Sequence, residues 1–243
     1  MMKIETTYIK HDYRSLPEVT TEMEINPEKL AFLIIDMQND FLHPEGMMAR
    51  KVADIAPARL TITPTKRVAE ACRKSGVKVI YTQHNYRQDF SDMGKSWARI
   101  YVHRPGTISP GDKVGPRGNQ ATGSLIRGTW NADIIAELKP QKGDIVVDNK
   151  RTYSGFYHTD LDLILNTLGI ETIMFAGLTT AVCVESTLRD AFFHEYQCIL
   201  LKDCTWEKTQ ELQAASETLV KIHFGSVSTS DMVIRALSNI SIR

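Results

Sequence analysis

Apolar residues are concentrated in short runs from residue 30 onward, and amphipathic stretches separate these runs. The runs are nearly continuously apolar and rich in β-branched side chains, as in strands that are buried on both faces. They are AFLIID (31–36), VKVIYTQ (77–83), DIVVD (144–148), TIMFAG (172–177) and CILLKD (198–203). The pattern predicts a strand at each run, within a parallel sheet.

The intervening stretches have the apolar spacing of helices. They are TKRVAEACRKSG (65–76), NADIIAELK (131–139), TDLDLILNTLG (159–169), the residues after Val182, and EKTQELQAASETLVKI (207–222). Gly76, Gly169 and Gly225 stand where a glycine that ends a helix is expected. Strands that alternate with helices predict right-handed βαβ units, and therefore an α/β fold, a doubly wound three-layer sandwich.

Two segments fall outside this alternation. Residues 1–29 are polar, and we expect an irregular N-terminal arm that packs on the body or on a neighbouring subunit, with residues 30–243 as a single domain. Residues 103–128 hold six of the fourteen glycines and three of the nine prolines. The segment is too long for an ordinary connection, which leaves an interaction loop, a lid near the site or an insertion.

Composition narrows the classes of partner. The chain has 243 residues with 29 basic and 29 acidic side chains, so it lacks the single-signed field of a nucleic-acid binder or of a protein held on anionic membranes. The opening residues have no apolar core of a secretory signal, and no apolar stretch is long enough to span a bilayer. We expect a cytoplasmic protein with a small-molecule substrate and with mostly reduced thiols, as is usual in that compartment. The absence of a C-x-x-C pair argues against a zinc knuckle and against a thioredoxin-like motif.

Three residues at the ends of predicted strands have chemistry that packing alone does not require. In an open α/β sheet, ligands bind outside the carboxyl ends of the strands. Asp36 follows five apolar residues, Lys150 closes the third strand, and Cys183 follows the fourth strand at the start of a helix. The helix dipole is expected to favour the thiolate of Cys183. A thiol, a base and a cation at one sheet edge are the groups that acyl or carbamoyl transfer needs.

Each residue also has a structural interpretation. Asp36 can cap the following turn, Lys150 can be solvated beside Arg151, and Cys183 can be an inert buried thiol. The inert role is the one expected of the other cysteines, which are Cys72, Cys198 and Cys204. The functional interpretation depends on all three residues reaching the same edge of the sheet.

Three motifs resemble those of the isochorismatase-like cysteine hydrolases: IIDMQNDF (34–41), K-x-x-YSGF (150–156) and GLTTAVCVESTLRDA (177–191). The resemblance implies a six-stranded parallel sheet and a catalytic triad of Cys183, Asp36 and Lys150. It also implies a cis peptide between Leu178 and Thr179, with the amides of Thr179 and Cys183 as the oxyanion hole.

Within the family, GTWNADIIAEL (128–138) and VCVESTLRDAFFHEY (182–196) look most like ureidoacrylate amidohydrolases and their biuret-, triuret- and guanylurea-cleaving relatives. Nicotinamidases carry a metal-binding Asp-x-His after the second strand, whereas this chain has His84 and Tyr86 there. A lone histidine does not make a metal site, so we expect neither a metal nor a cofactor. Phe41, His84 and Tyr86 are candidates for the walls of the substrate pocket, with a simple loop hydrogen bond as the alternative for His84.

The leading hypothesis is a cysteine amidohydrolase that cleaves a C–N bond of a small ureido or carbamoyl compound. The alternatives are an N-carbamoyl amino acid hydrolase of the N-carbamoylsarcosine type, a general amide hydrolase, and a catalytically silent binding module. A substrate carboxylate would need an arginine, and Arg87, Arg99 and Arg151 are candidates. The resemblance also suggests a homo-oligomer, a dimer or a tetramer.

Overall fold

The computed structural model describes residues 1–10, 15–51, 54–94, 110–113, 115 and 123–239. The strands in this part of the chain form one eight-stranded sheet. Its strands are β1 (Met2–Ile9), β2 (Glu18–Ile25), β3 (Leu30–Ile35), β4 (Lys78–His84), β5 (Ile145–Lys150), β6 (Thr172–Leu178), β7 (Gln197–Trp206) and β8 (Ser226–Ser228). The strand order is β2-β1-β8-β7-β6-β3-β4-β5.

The α/β class is confirmed, but the expected number of strands is wrong. Six strands, β3 to β8, are mutually parallel, as the resemblance implies. Two more belong to the segment expected to be irregular: β1 and β2 pair antiparallel over their whole length, and β1 pairs antiparallel with β8. The N-terminal segment therefore extends the sheet. Along β1 every second residue is buried, at Met2, Ile4 and Thr6, and this alternation is hard to recognise in a segment of mostly polar composition.

Helices cover both faces of the sheet. The described helices are α1 (Asn39–Leu42), α2 (Met47–Lys51), α3 (Ala56–Arg59), α4 (Ile62–Lys74), α5 (Leu161–Thr167), α6 (Glu185–Phe193), α7 (Gln210–Leu219) and α8 (Ser230–Ser238). Two apolar clusters form the core. One holds Phe32, Ile34 and Val68, and the other holds Leu33, Ile35 and Leu188, so successive residues of β3 enter opposite layers. Among the described residues, no helix is long and apolar enough to cross a membrane.

The helix expected at residues 131–139 does not form. Two short 3₁₀ turns, Trp130–Ala132 and Ala136–Leu138, take its place. Ile135 donates its backbone N–H to the carbonyl of Met37, and Ile134 forms a β-bridge with Gln38. These bonds to a distant segment replace the i to i−4 bonds that a helix requires.

The three glycines expected to end helices do not share one conformation. Gly76 and Gly169 have positive φ angles of 74° and 65°, the left-handed geometry of a helix end. Gly225 also directly follows a helical turn, Val220–Phe224, as predicted, but its backbone is extended, with φ 162°. A Cβ there would lie 2.3 Å from the carbonyl oxygen of Cys198, and close backbone approach is what requires glycine.

Candidate active site

Asp36 and Lys150 form a buried ion pair at the carboxyl edge of the sheet. Asp36 follows the last residue of β3 and has a positive φ of 54°. Lys150 is the last residue of β5, and β4 lies between the two strands. Lys150 Nζ lies 2.5 Å from Asp36 Oδ2, and both side chains have no exposed surface. Because water does not reach either charge, the surrounding residues must hold the two side chains against each other.

Thr82 fixes the other oxygen of the Asp36 carboxylate, a role that sequence reasoning missed. Its hydroxyl donates a hydrogen bond of 2.7 Å to Asp36 Oδ1, and its carbonyl accepts the backbone N–H of Asp36 at 3.2 Å. Thr82 is fully buried in β4, in register with Ile35. A threonine that directly follows the apolar residues 79–81 of β4, and that is paired with the residue before Asp36, is the signal that points to it.

Cys183 reaches the same place from β6. A single π-type turn, Thr180–Val184, follows the strand and leads directly into α6. The thiol is 7% exposed and interacts with both Asp36 and Lys150. The structure therefore brings together the three residues that the sequence proposed for catalysis.

The protonation state expected for Cys183 is wrong. Burial raises the pKa of the thiol to about 12; Lys150 acts to lower it, whereas the Asp36 charge acts in the same direction as burial. Desolvation and the adjacent carboxylate therefore outweigh the effect of Lys150. Cys183 is therefore a neutral thiol near pH 7.

Gly177 allows β6 to come this close to β3. It pairs with Ile35 and has φ +125°. A Cβ at this position would lie 2.0 Å from the carbonyl oxygen of Ile35. Only glycine fits at position 177, which is one residue before the end of β6. Its partner Ile35 is the last residue of β3 and directly precedes Asp36.

The peptide between Leu178 and Thr179 is cis, as the resemblance implies. Thr179 is the residue immediately before the π-type turn that carries Cys183. The amide of Thr179 therefore lies just before this turn, and the amide of Cys183 lies within it. Their action as an oxyanion hole stays a prediction.

His84 is a further polar group of the site. It ends β4, is 1% exposed, and its Nε2 lies 3.3 Å from the hydroxyl of Tyr86. Burial, together with the Lys150 charge, lowers the pKa of His84 to about 3, and Asp36 opposes this shift. The imidazole is therefore neutral near pH 7 and serves as a hydrogen-bonding group of the site.

The argument that His84 is a lone ligand is wrong in the folded protein. Ligand atoms of Asp36, His84 and Cys183 all lie within 4.8 Å of one another, so these residues can hold a metal ion. Lys150 Nζ already lies against the Asp36 carboxylate, and a metal would compete with this ammonium group.

We expect His84 to make the protein less stable in acid. The histidine binds a proton near pH 6.5 in the unfolded chain but only near pH 3 in the folded one. Between these values the unfolded state binds more protons, so the free energy of unfolding falls as the pH drops from 6.5 towards 3. Urea unfolding at pH 6.5 and pH 5 should show a smaller fall for His84→Gln than for the wild type.

The exposed His158 provides a matched control, because His158→Gln removes the same side chain outside the site. His158→Gln should keep the wild-type dependence on pH. An unchanged dependence in His84→Gln would contradict the assignment of acid sensitivity to His84.

The other proposed pocket residues lie beside this group. Tyr86 is 3% exposed and belongs to a small apolar cluster with Leu125 and Ile126, against which Phe41 packs. Tyr86 thus contacts both His84 and the cluster that includes Phe41. Contact of these side chains with a substrate stays a prediction.

The arginines named for a substrate carboxylate are placed differently from one another. Arg87 is exposed, and the guanidinium of Arg151 lies 5.6 Å from the centre of the Tyr157 ring. Arg99 and most of the 103–128 segment lie outside the described residues. The described end of that segment packs at the site, since Ile126 forms a β-bridge with Tyr86.

Two other polar residues of the motif around Asp36, Gln38 and Asp40, have structural roles that the sequence alone did not reveal. Gln38 Nε2 donates to the carbonyls of His84 and Ala132, and its Oε1 accepts the N–H of His84. Asp40 accepts hydrogen bonds from the Leu125 N–H and the Asn131 amide. These contacts tie the ends of β3 and β4 to residues 123–132.

The residues matched by known proteins include the whole site. Residues 30–232 match the family model described as the isochorismatase domain. The chain is 36% identical over 217 residues to ureidoacrylate amidohydrolase RutB of Rhizobium rhizogenes, which covers 88% of this chain and 86% of that relative.

Solved structures of two hydrolases have a similar fold. A cysteine hydrolase from Pseudomonas syringae superposes with a TM-score of 0.74 at 30% identity, covering 88% of this chain and 94% of that chain. N-carbamoylsarcosine amidase from Thermoplasma acidophilum superposes with a TM-score of 0.63 at 28% identity, covering 84% and 97%.

Proposed function

The chain belongs to the isochorismatase family and is a hydrolase acting on carbon–nitrogen bonds, and we propose that Cys183 attacks the carbonyl of a small ureido compound. The observation that carries this proposal is the position of Cys183 Sγ, within 4.8 Å of a carboxylate oxygen of Asp36, which forms a buried ion pair with Lys150. A nucleophile beside a base, with the base held by a third group, is the arrangement that covalent catalysis requires.

The first half of the reaction forms the covalent intermediate. As Cys183 Sγ bonds to the carbonyl carbon, its proton passes to Asp36, because the thiol is neutral at rest. Asp36 then gives the proton to the leaving nitrogen as the C–N bond breaks. Lys150 and Thr82 hold the two carboxylate oxygens throughout, which keeps Asp36 aimed at the sulfur.

The second half releases the product. Water adds to the S-acyl or S-carbamoyl carbon and gives a proton to Asp36. The C–S bond then breaks, and the departing sulfur regains its proton from Asp36. The products are an amine or ammonia and a carboxylate or carbamate, with Cys183 restored as a thiol.

Ureidoacrylate is the substrate that the likeness to ureidoacrylate amidohydrolase supports best. Biuret, triuret and guanylurea share the carbonyl flanked by nitrogen and are further members of the proposed class. The likeness to N-carbamoylsarcosine amidase supports a second candidate, an N-carbamoyl amino acid. All of these substrates present the same carbonyl to Cys183 and differ in charge at the other end.

Release of ammonia from a panel of substrates tests the proposal. The panel contains ureidoacrylate, biuret, triuret, guanylurea, N-carbamoylsarcosine and nicotinamide. We expect the highest kcat/KM for ureidoacrylate, and intact-mass analysis of quenched enzyme should find an adduct on Cys183. Turnover of nicotinamide alone would overturn the assignment to ureido compounds.

A further inference from the structure

The nucleophile turn, defined here as residues 179–183, is held from the side opposite Asp36 by polar residues of α7 and of the segment that follows β7. Leu178 at the end of β6 pairs in register with Trp206 at the end of β7. Glu207 therefore follows β7 at the level where the nucleophile turn follows β6. The catalytic interpretation of the site gives Glu207 no role.

Both oxygens of the Glu207 carboxylate are engaged by backbone amides. Oε2 accepts the N–H of Ala181 at 2.9 Å, and Oε1 accepts the N–H of Lys208 at 2.8 Å. Glu207 is 8% exposed, so the bond to Ala181 is largely shielded from water. A charge-assisted hydrogen bond of this kind is stronger than a neutral one and holds a backbone segment in one place.

A second contact fixes the neighbouring residue of the same turn. The hydroxyl of Thr180 donates a hydrogen bond of 2.7 Å to Gln213 Oε1 on α7. Gln213 Nε2 donates in turn to Glu217 at 2.8 Å. Two consecutive residues of the nucleophile turn, three and two positions before Cys183, are thus bound to Gln213 on α7 and to Glu207 after β7.

We propose that Glu207 is a positioning residue that holds the nucleophile turn so that the thiol of Cys183 stays beside Asp36. The inference rests on the proposed function, because it takes Cys183 as the nucleophile. Misplacement of a reacting group by about 1 Å can cost about 100-fold in rate, so loss of this contact is expected to be visible in turnover. Glu207 acts through the backbone of Ala181 and does not touch the substrate.

The surroundings of Glu207 make this role testable by substitution. Glu207 lies on the wall of a cavity of about 690 Å³ that also touches Trp206 and Gln213. Water can enter this space when the carboxylate is removed and can bind the freed Ala181 N–H. We therefore expect Glu207→Ala to fold, with its defect confined to the placement of the turn.

The experiment compares Glu207→Ala, Glu207→Gln and Lys208→Ala in the full-length protein. Glutamine keeps an oxygen that can accept the Ala181 N–H, and Lys208 is an exposed neighbour on the same cavity wall. We expect Glu207→Ala to lower kcat about 100-fold with KM within about threefold of the wild type. Glu207→Gln and Lys208→Ala should stay within about fivefold of the wild-type kcat, and circular dichroism should show the same fold for all three.

A second readout needs no substrate. Iodoacetamide labelling of Cys183, followed by peptide mass, should slow about tenfold in Glu207→Ala, because the thiol no longer lies beside the carboxylate that accepts its proton. Slower labelling in Glu207→Ala with no turnover of the panel by the wild type would support the inference while the proposed function fails. Wild-type kcat and labelling in Glu207→Ala, or an equal loss in Glu207→Gln, would overturn the inference.

Discussion

Replacing Cys183 with alanine is expected to abolish hydrolysis, with kcat falling by about 10⁴-fold or more. The thiol is the group placed against the Asp36–Lys150 pair, and alanine leaves Asp36 with no nucleophile to activate. Steady-state release of ammonia measures the loss, and mass analysis of quenched enzyme should find no adduct on the variant.

Cys72→Ala provides the matched control. Cys72 is also a buried free thiol, but it lies on α4 within the apolar core. We expect this variant to keep wild-type turnover after allowance for a modest loss of stability. Hydrolysis by Cys183→Ala at more than about 1% of the wild-type rate would show that water attacks directly, and would contradict the covalent scheme.

Replacing Lys150 with methionine is expected to damage folding and catalysis together. Methionine fills much of the same volume but leaves the Asp36 carboxylate buried without its cation. Breaking a buried pair by removing one partner costs about 3–5 kcal/mol in the free energy of unfolding. Turnover should fall at least about 1,000-fold, because Lys150 no longer holds the Asp36 carboxylate in place.

Two further variants show how much of the loss of stability is due to an unpaired buried charge. The double variant Asp36→Asn, Lys150→Met carries no unpaired charge, so it should regain most of the lost stability and stay inactive. Lys29 and Glu171 form an equally short ion pair of 2.5 Å, but their side chains are 46% and 65% exposed. Lys29→Met should cost less than about 1 kcal/mol. Equal losses of stability at Lys29 and Lys150 would contradict the importance of burial.

The neutral resting thiol changes how the reaction is expected to begin. Many reactive cysteines owe their reactivity to a lowered pKa, whereas burial raises the pKa of Cys183 to about 12. Proton transfer to Asp36 must then precede or accompany the attack of the sulfur. Lys150 and Thr82 serve this step by fixing both oxygens of the base.

The elements that the sequence predicts best are those buried on both faces. The apolar runs that became β3 and β6 are continuous because both faces of these strands lie in the core, and their bounds agree with the predicted runs to within one or two residues. Elements with weaker patterns were missed. β8 has only three residues, and β1 has an alternating pattern within a polar composition.

The helical pattern at residues 131–139 failed for a different reason. Its spacing suits a helix, but Met37 and Gln38 take up the backbone of Ile134 and Ile135. A bond between segments almost 100 positions apart has no local signal, so periodicity alone could not predict this outcome.

The sequence by itself determined the α/β fold and the strand ends that carry Asp36, Lys150 and Cys183, because apolar runs and the rule of carboxyl ends depend only on local pattern. It could not determine the protonation of Cys183, since burial and neighbouring charge set a pKa and both arise only on folding. Nor could it assign Thr82 and Glu207, whose roles depend on register between strands distant in the chain. The tertiary structure decided these points, because each depends on which groups folding buries next to one another.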